Sequence, residues 1–246
     1  MRDIDLKPGE KIEDLQNGYR VIQHPEFFSF GTDAVLLAHF AASAARGHIV
    51  DLGTGCGIIP LLLCARCKDI HVTGIEVQQK LADMARRSVC ANELESRIRI
   101  VCADLKEARF LELQGVDMVV SNPPYEKAGA GKQNANVQHN IAKREVKCTL
   151  DDVLDSAAKL LRTGGRLCLI YRTERLAELL AKMRASAIEP KRIQLVAPSH
   201  GKAPNFALVE GRKNAREALV FLPTLEIYEA DGGYTAPLKK IYGTEG

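Results

Sequence analysis

Short apolar runs alternate with stretches of helical spacing along most of the chain, and this alternation carries the prediction of fold. Runs at 48–52, 71–75, 98–102, 116–121 and 166–170 have the length and composition of buried strands. Between the first two, and again over 78–93, apolar residues recur at helical intervals. Thr32 predicts the cap of a helix running to about Ala45, and Thr149 with Asp152 predicts a capping box for a helix to Leu161, stopped by Gly164 and Gly165. Two more strands are expected at 192–197 and 217–222, separated by a long loop over 199–216 that is rich in Gly, Pro and basic residues. Near the start, Asn17-Gly18 favours a tight hairpin within 12–30. Strands joined through helices need right-handed crossovers and a sheet covered on both faces. The expectation is an α/β fold, a doubly wound, seven-stranded, mostly parallel sheet. It forms a single unit over 1–246, with 1–31 a hairpin extension and 223–246 a C-terminal extension.

Composition narrows the class of protein. Of 246 residues, 46% are apolar and 26% charged, which excludes disorder, collagen and a disulfide mini-scaffold. Lys and Arg outnumber Asp and Glu by 34 to 31, a net +3, so any basic surface must be local. The first residues are charged where a signal peptide needs an apolar stretch, and no run of 18 apolar residues could span a bilayer, so a cytoplasmic protein is expected. Seven cysteines spread along the chain suit reduced thiols better than a disulfide framework. Cys64 and Cys67 have metal-binding spacing, but no second pair of ligands accompanies them, so no metal is expected.

The candidate chemistry sits at strand ends. Asp51 opens AspLeuGlyThrGlyCysGly, in which Gly53, Gly55 and Gly57 let the backbone turn sharply beside a ligand at the carboxyl end of the first buried strand. Glu76 ends the second strand, where a carboxylate can accept from two ribose hydroxyls. Asp104, followed by Leu105, comes after the third, within reach of an adenine amino group. A nicotinamide-binding fold would share the ribose acid, but its GxGxxG cradles a pyrophosphate, and the spacing here is GxGxG. At the end of the fourth strand stands Asn122-Pro123-Pro124-Tyr125. The prolines stiffen the turn and withhold two N–H donors. The Asn122 side-chain oxygen and the Pro123 carbonyl offer acceptors, and Tyr125 offers a flat face. That set suits a planar group bearing an NH2, whose lone pair the two acceptors would turn out of conjugation.

Together, the glycine turn, Glu76 and Asp104 resemble the nucleoside-binding motifs of Rossmann-like class I methyltransferases, which implies S-adenosylmethionine as cofactor. Asn122 to Tyr125 resemble the motif of amino methyltransferases acting on adenine N6, guanine N2 or a protein glutamine amide. The flanks extend the likeness over nearly the whole chain: 28–38, 139–145, 201–204 and 227–235 are similar to the bacterial tRNA(Val) adenine-N6 methyltransferases, which modify the adenine beside the anticodon. The resemblance implies a tRNA substrate and a PheGlyThrAsp region closing over the cofactor, which brings in Thr32 and Asp33; Asn122 also borders that cofactor. A ribosomal RNA guanine-N2 methyltransferase remains an alternative. A release-factor glutamine methyltransferase needs a helical domain for which the residues ahead of the first strand leave no room, and a non-catalytic RNA-binding module is the alternative of a different class.

For RNA, local charge points to two stretches. From Lys182 to Arg216 eight Lys and Arg face two acids, net +6, and from Glu126 to Lys147 five face two, net +3. Lys202, Arg212 and Lys213 in the first stretch, and Lys143 and Arg144 in the second, are the candidate phosphate contacts. The pattern leaves the oligomeric state open.

Overall fold

The computed structural model describes residues 4–15, 18–25, 31–110, 113, 115–123 and 148–243. Strands β1 (Lys11–Asp14) and β2 (Arg20–Gln23) form an antiparallel hairpin whose turn includes Gly18 at φ +84°. Then follow α1 (Thr32–Ala42), β3 (Gly47–Leu52), α2 (Ile58–Arg66), β4 (Ile70–Glu76), α3 (Gln79–Ala91), β5 (Ile98–Cys102), a 3-10 turn (Leu105–Phe110) and β6 (Val116–Ser121). The second half holds α4 (Leu150–Leu160), β7 (Leu161–Arg172), α5 (Leu176–Ala185), β8 (Ile188–Ser199), β9 (Phe206–Lys213), β10 (Val220–Tyr228) and α6 (Ala236–Tyr242).

Strands β3 to β10 make one eight-stranded sheet in the order β10-β8-β9-β7-β6-β3-β4-β5. Strand β9 is antiparallel to β7 and β8, and the other neighbouring pairs are parallel. Alternate residues of each central strand enter two different cores. Ile49, Met118, Val120, Cys168 and Ile170 pack with α1 and α2, and Val50, Leu52, Val119, Leu167 and Leu169 pack with α4. Both faces are therefore covered, as near-continuous apolar strands require. The hairpin lies on α3: the Ile22 N–H donates to Ser88 Oγ at 2.9 Å, and Arg87 pairs with Glu10.

Three expectations are corrected. Among the described residues the sheet has eight strands, because β9 runs through the segment read as a loop. Half of that strand is Glu210, Gly211, Arg212 and Lys213, which hides it from a hydrophobic pattern; Glu210 is only 1% exposed, held between Arg166 and Arg192. The last strand runs to Tyr228 rather than ending at 222. The cap position of α1 is Gly31, without a side-chain cap, so Thr32 is its first helical residue. The capping box of α4 forms as expected, with Thr149 and Asp152 bonding each other's N–H groups.

Candidate active site

Strands β3, β4 and β6 run parallel, so their carboxyl ends place the glycine turn, Glu76 and Asn122 along one edge. The turn after β3 is tied to β4, with the Gly53 and Thr54 N–H groups donating to the Ile75 carbonyl at 2.9 and 3.0 Å. Gly53 sits at φ +76°, and a Cβ there would meet no atom within 4 Å, so backbone faces open space where a ligand could approach it. Gly57, at φ +85°, is a packing glycine: a Cβ would stand 3.2 Å from that of Ala85 on α3. Glu76 braces the turn. One carboxylate oxygen accepts the Gly55 N–H and the other the Gln78 N–H, each at 2.9 Å, leaving a lone pair on each oxygen for a ligand hydroxyl. Burial raises its pKa, against the pull of those backbone donors.

Asp51 is fully buried, and among the described residues neither carboxylate oxygen has a hydrogen-bond partner. Burial pushes its pKa up to about 7; the Thr54 hydroxyl pulls it down without meeting hydrogen-bond geometry, and Glu76 pushes further up. An orphaned buried carboxyl beside a glycine with open space ahead of it fits a ligand that brings a cationic donor. Asp104 follows β5 and accepts the Lys106 N–H at 2.9 Å, and the Leu105 carbonyl accepts from Ser156 Oγ at 3.0 Å. Both lie at the edge that carries Glu76, since β5 pairs with β4 in parallel.

Beyond β6, Asn122 is half-buried and Pro123 buried. Asn122 Nδ2 donates to Asp33 Oδ2 at 3.0 Å, which brings the start of α1 to the amide. Thr32 and Tyr242 of α6 line one cavity. Pro124, Tyr125, Lys143 and Arg144 lie outside the described residues, as do 139–145 and residues 28–30 of the segment ahead of α1.

The cationic candidates of the second half divide. Lys202, exposed in the turn between β8 and β9, stands at the same edge as Asn122. Arg212 and Lys213 do not. Arg172 at the end of β7 is opposite Phe206, and Arg166 opposite Arg212, so β9 carries Arg212 and Lys213 to the far edge of the sheet. There Lys213 donates to the Ala158 and Leu161 carbonyls at the end of α4, and Arg212 to the Gly164 carbonyl. Of the residues expected to meet RNA, these two stand at the edge opposite Asn122, where they bond the end of a helix and a turn. The sequence reading missed Arg172, whose guanidinium lies 4.6 Å over the Phe206 ring at the correct edge. Its signal, a basic residue closing an apolar strand, was present in the sequence.

Residues 18–187 match the family model described as methyltransferase small domain. A curated relative, the tRNA1(Val) (adenine(37)-N6)-methyltransferase of Porphyromonas gingivalis, is 33% identical over 214 residues, 83% of each chain. The chain belongs to this family. A second such methyltransferase, from Tolumonas auensis, is 29% identical over 73% of this chain and 74% of its own. Among solved structures, an Agrobacterium tumefaciens protein assigned by prediction as an O-methyltransferase is 27% identical, with TM-score 0.69 over 86% of this methyltransferase and 95% of its own chain. A Methanocaldococcus jannaschii tRNA methyltransferase shares the fold at 15% identity, TM-score 0.61 over 85% of this chain and 58% of its own.

Proposed function

We propose that the protein transfers a methyl group from S-adenosylmethionine to the exocyclic N6 amine of adenine in tRNA, at the adenine beside the anticodon of tRNA(Val). The reading rests on Asn122 and Pro123, two acceptors after a strand that neighbours the one bearing the glycine turn and lies two strands from Glu76. Bound, the cofactor supplies a methyl group on an electron-poor sulfonium. The chain's own residues hold and aim the partners. Glu76 accepts from ribose hydroxyls, Asp104 and Leu105 border the adenine, and Gly53 admits the cofactor to backbone contact. Asp51, ionised by a nearby ammonium, balances its charge.

An aromatic amine is a poor nucleophile until its lone pair leaves conjugation. Asn122 Oδ1 and the Pro123 carbonyl accept its two hydrogens and turn that pair toward the methyl carbon, and Tyr125 stacks on the flipped base. Once the nitrogen had gained its methyl group, one amine proton held by these acceptors would leave to water. Lys202 and Arg172, with Lys143 and Arg144, serve the phosphates around the target.

The test is incubation with labelled S-adenosylmethionine and total tRNA, followed by mass spectrometry of the nucleosides. N6-methyladenosine is expected. N2-methylguanosine, or label on protein with RNA unlabelled, would sink the reading.

A further inference from the structure

We infer that Asp33 is a positioning residue whose carboxylate fixes which end of the Asn122 amide faces the methyl acceptor. The inference rests on the reading that Asn122 receives an exocyclic amine, and it gives Asp33 a role other than contact with the cofactor. An asparagine amide carries an acceptor and a donor of nearly the same shape. Presented oxygen first, it holds an NH2; presented nitrogen first, it sets donor against donor and repels it.

The geometry around Asp33 selects the first state. Asp33 Oδ2 is 3.0 Å from Asn122 Nδ2, between residues 89 positions apart in the chain. A carboxylate oxygen can only accept, so the amide nitrogen must be the end turned toward it, and the amide oxygen, with its two lone pairs, is the end turned the other way. The carboxylate is itself fixed. Its other oxygen accepts the Ala34 N–H at 2.9 Å in the first turn of α1, where the helix dipole favours an anion. That helix is anchored by the buried residues Ala34 to Ala38. A negative charge on the nitrogen side also polarises the amide, making its oxygen the stronger acceptor. The device is selective: it favours a donor amine over a group that can only accept.

The decisive variant is Asp33→Asn, almost identical in shape. Its oxygen can still accept the Ala34 N–H, which leaves its own NH2 facing Asn122 and drives that amide to turn over. Single-turnover methylation of tRNA at saturating cofactor should slow about 10- to 100-fold, the scale of losing one aimed hydrogen bond in a transition state. Cofactor affinity by calorimetry and the thermal midpoint should stay at wild-type values. Asp33→Ala should lose as much, and in an Asn122→Ala background neither change should slow the residual rate further, because Asp33 acts through that amide. A helix-start role alone predicts near-normal rates for Asp33→Asn, and that result would overturn the inference. So would a tenfold weaker cofactor affinity with the saturated rate unchanged, which would return Asp33 to the cofactor. Failure of the wild-type protein to form N6-methyladenosine is separate and removes the functional reading instead.

Discussion

At the scale of single residues, Asp51 links burial to cofactor affinity most directly. Its carboxyl, pushed to about 7 by burial, is half-protonated at neutral pH in the free protein. A cationic ligand binds the ionised form, so binding lowers its pKa and affinity rises with pH up to that value. Below pH 7, S-adenosylmethionine affinity should fall by roughly tenfold per pH unit, and calorimetry in two buffers should register proton release. The Asp51→Asn variant should bind weakly and lose that dependence; a wild-type affinity flat between pH 5 and 7 would refute the assignment. Glu76→Ala should weaken the cofactor by about 1.5–3 kcal/mol, through the lost ribose acceptors and the loosened Gly55 and Gln78 anchors. Asn122→Ala should leave that affinity intact and cut turnover well over tenfold, to a small residual rate. A retained rate above about a tenth of wild type, a loss under about 1.4 kcal/mol, would show that Asn122 does not orient the amine. The places of Asp51, Glu76 and Asn122 at strand ends were legible in the sequence. The Asp33–Asn122 bond was not, because spacing along a chain cannot reveal which of two distant polar residues meet.

At the scale of elements, periodicity found the strands whose burial is apolar and missed the one whose burial is ionic. Glu210 side-chain exposure is 2%, while Arg166 and Arg192 keep 24% and 28% of theirs, so the triad closes over β9 from one side. A carboxylate in a core strand reads as loop until its two partners, on β7 and β8, are known. Glu210→Ala would leave two arginines facing each other, partly able to rehydrate. The expected cost is about 2 kcal/mol or somewhat more, below the roughly 3–5 of a fully buried pair. Denaturant unfolding with an unchanged midpoint would mean that strand pairing alone holds β9. The C-terminal extension is likewise an element that pattern could not place. Tyr228, Tyr234 and Tyr242 stack at 5.6 and 5.5 Å, and this carries α6 back to the start of α1, close to the Asp33 that meets Asn122.

At the scale of the whole molecule, the direction of β9 decides which charges can meet RNA. A net +3 gives little long-range attraction, so the proposed function places the affinity for a folded tRNA on the few cations at the edge that carries Asn122. Counting charges along 182–216 groups Lys202 with Arg212 and Lys213, but the antiparallel strand sends them to opposite edges. Lys202→Ala and Arg172→Gln should each lower the slope of log affinity against log salt by about 0.7–0.9, with cofactor binding unchanged. The Arg212→Ala, Lys213→Ala double variant should keep the wild-type slope and instead lose stability, since it uncaps α4 and the Gly164 turn. A salt series of tRNA binding, set beside thermal unfolding of the same proteins, separates the two edges. If the double variant flattened the slope while Lys202→Ala did not, the RNA would lie across the edge opposite the glycine turn, and a base flipped toward Asn122 would be out of its reach.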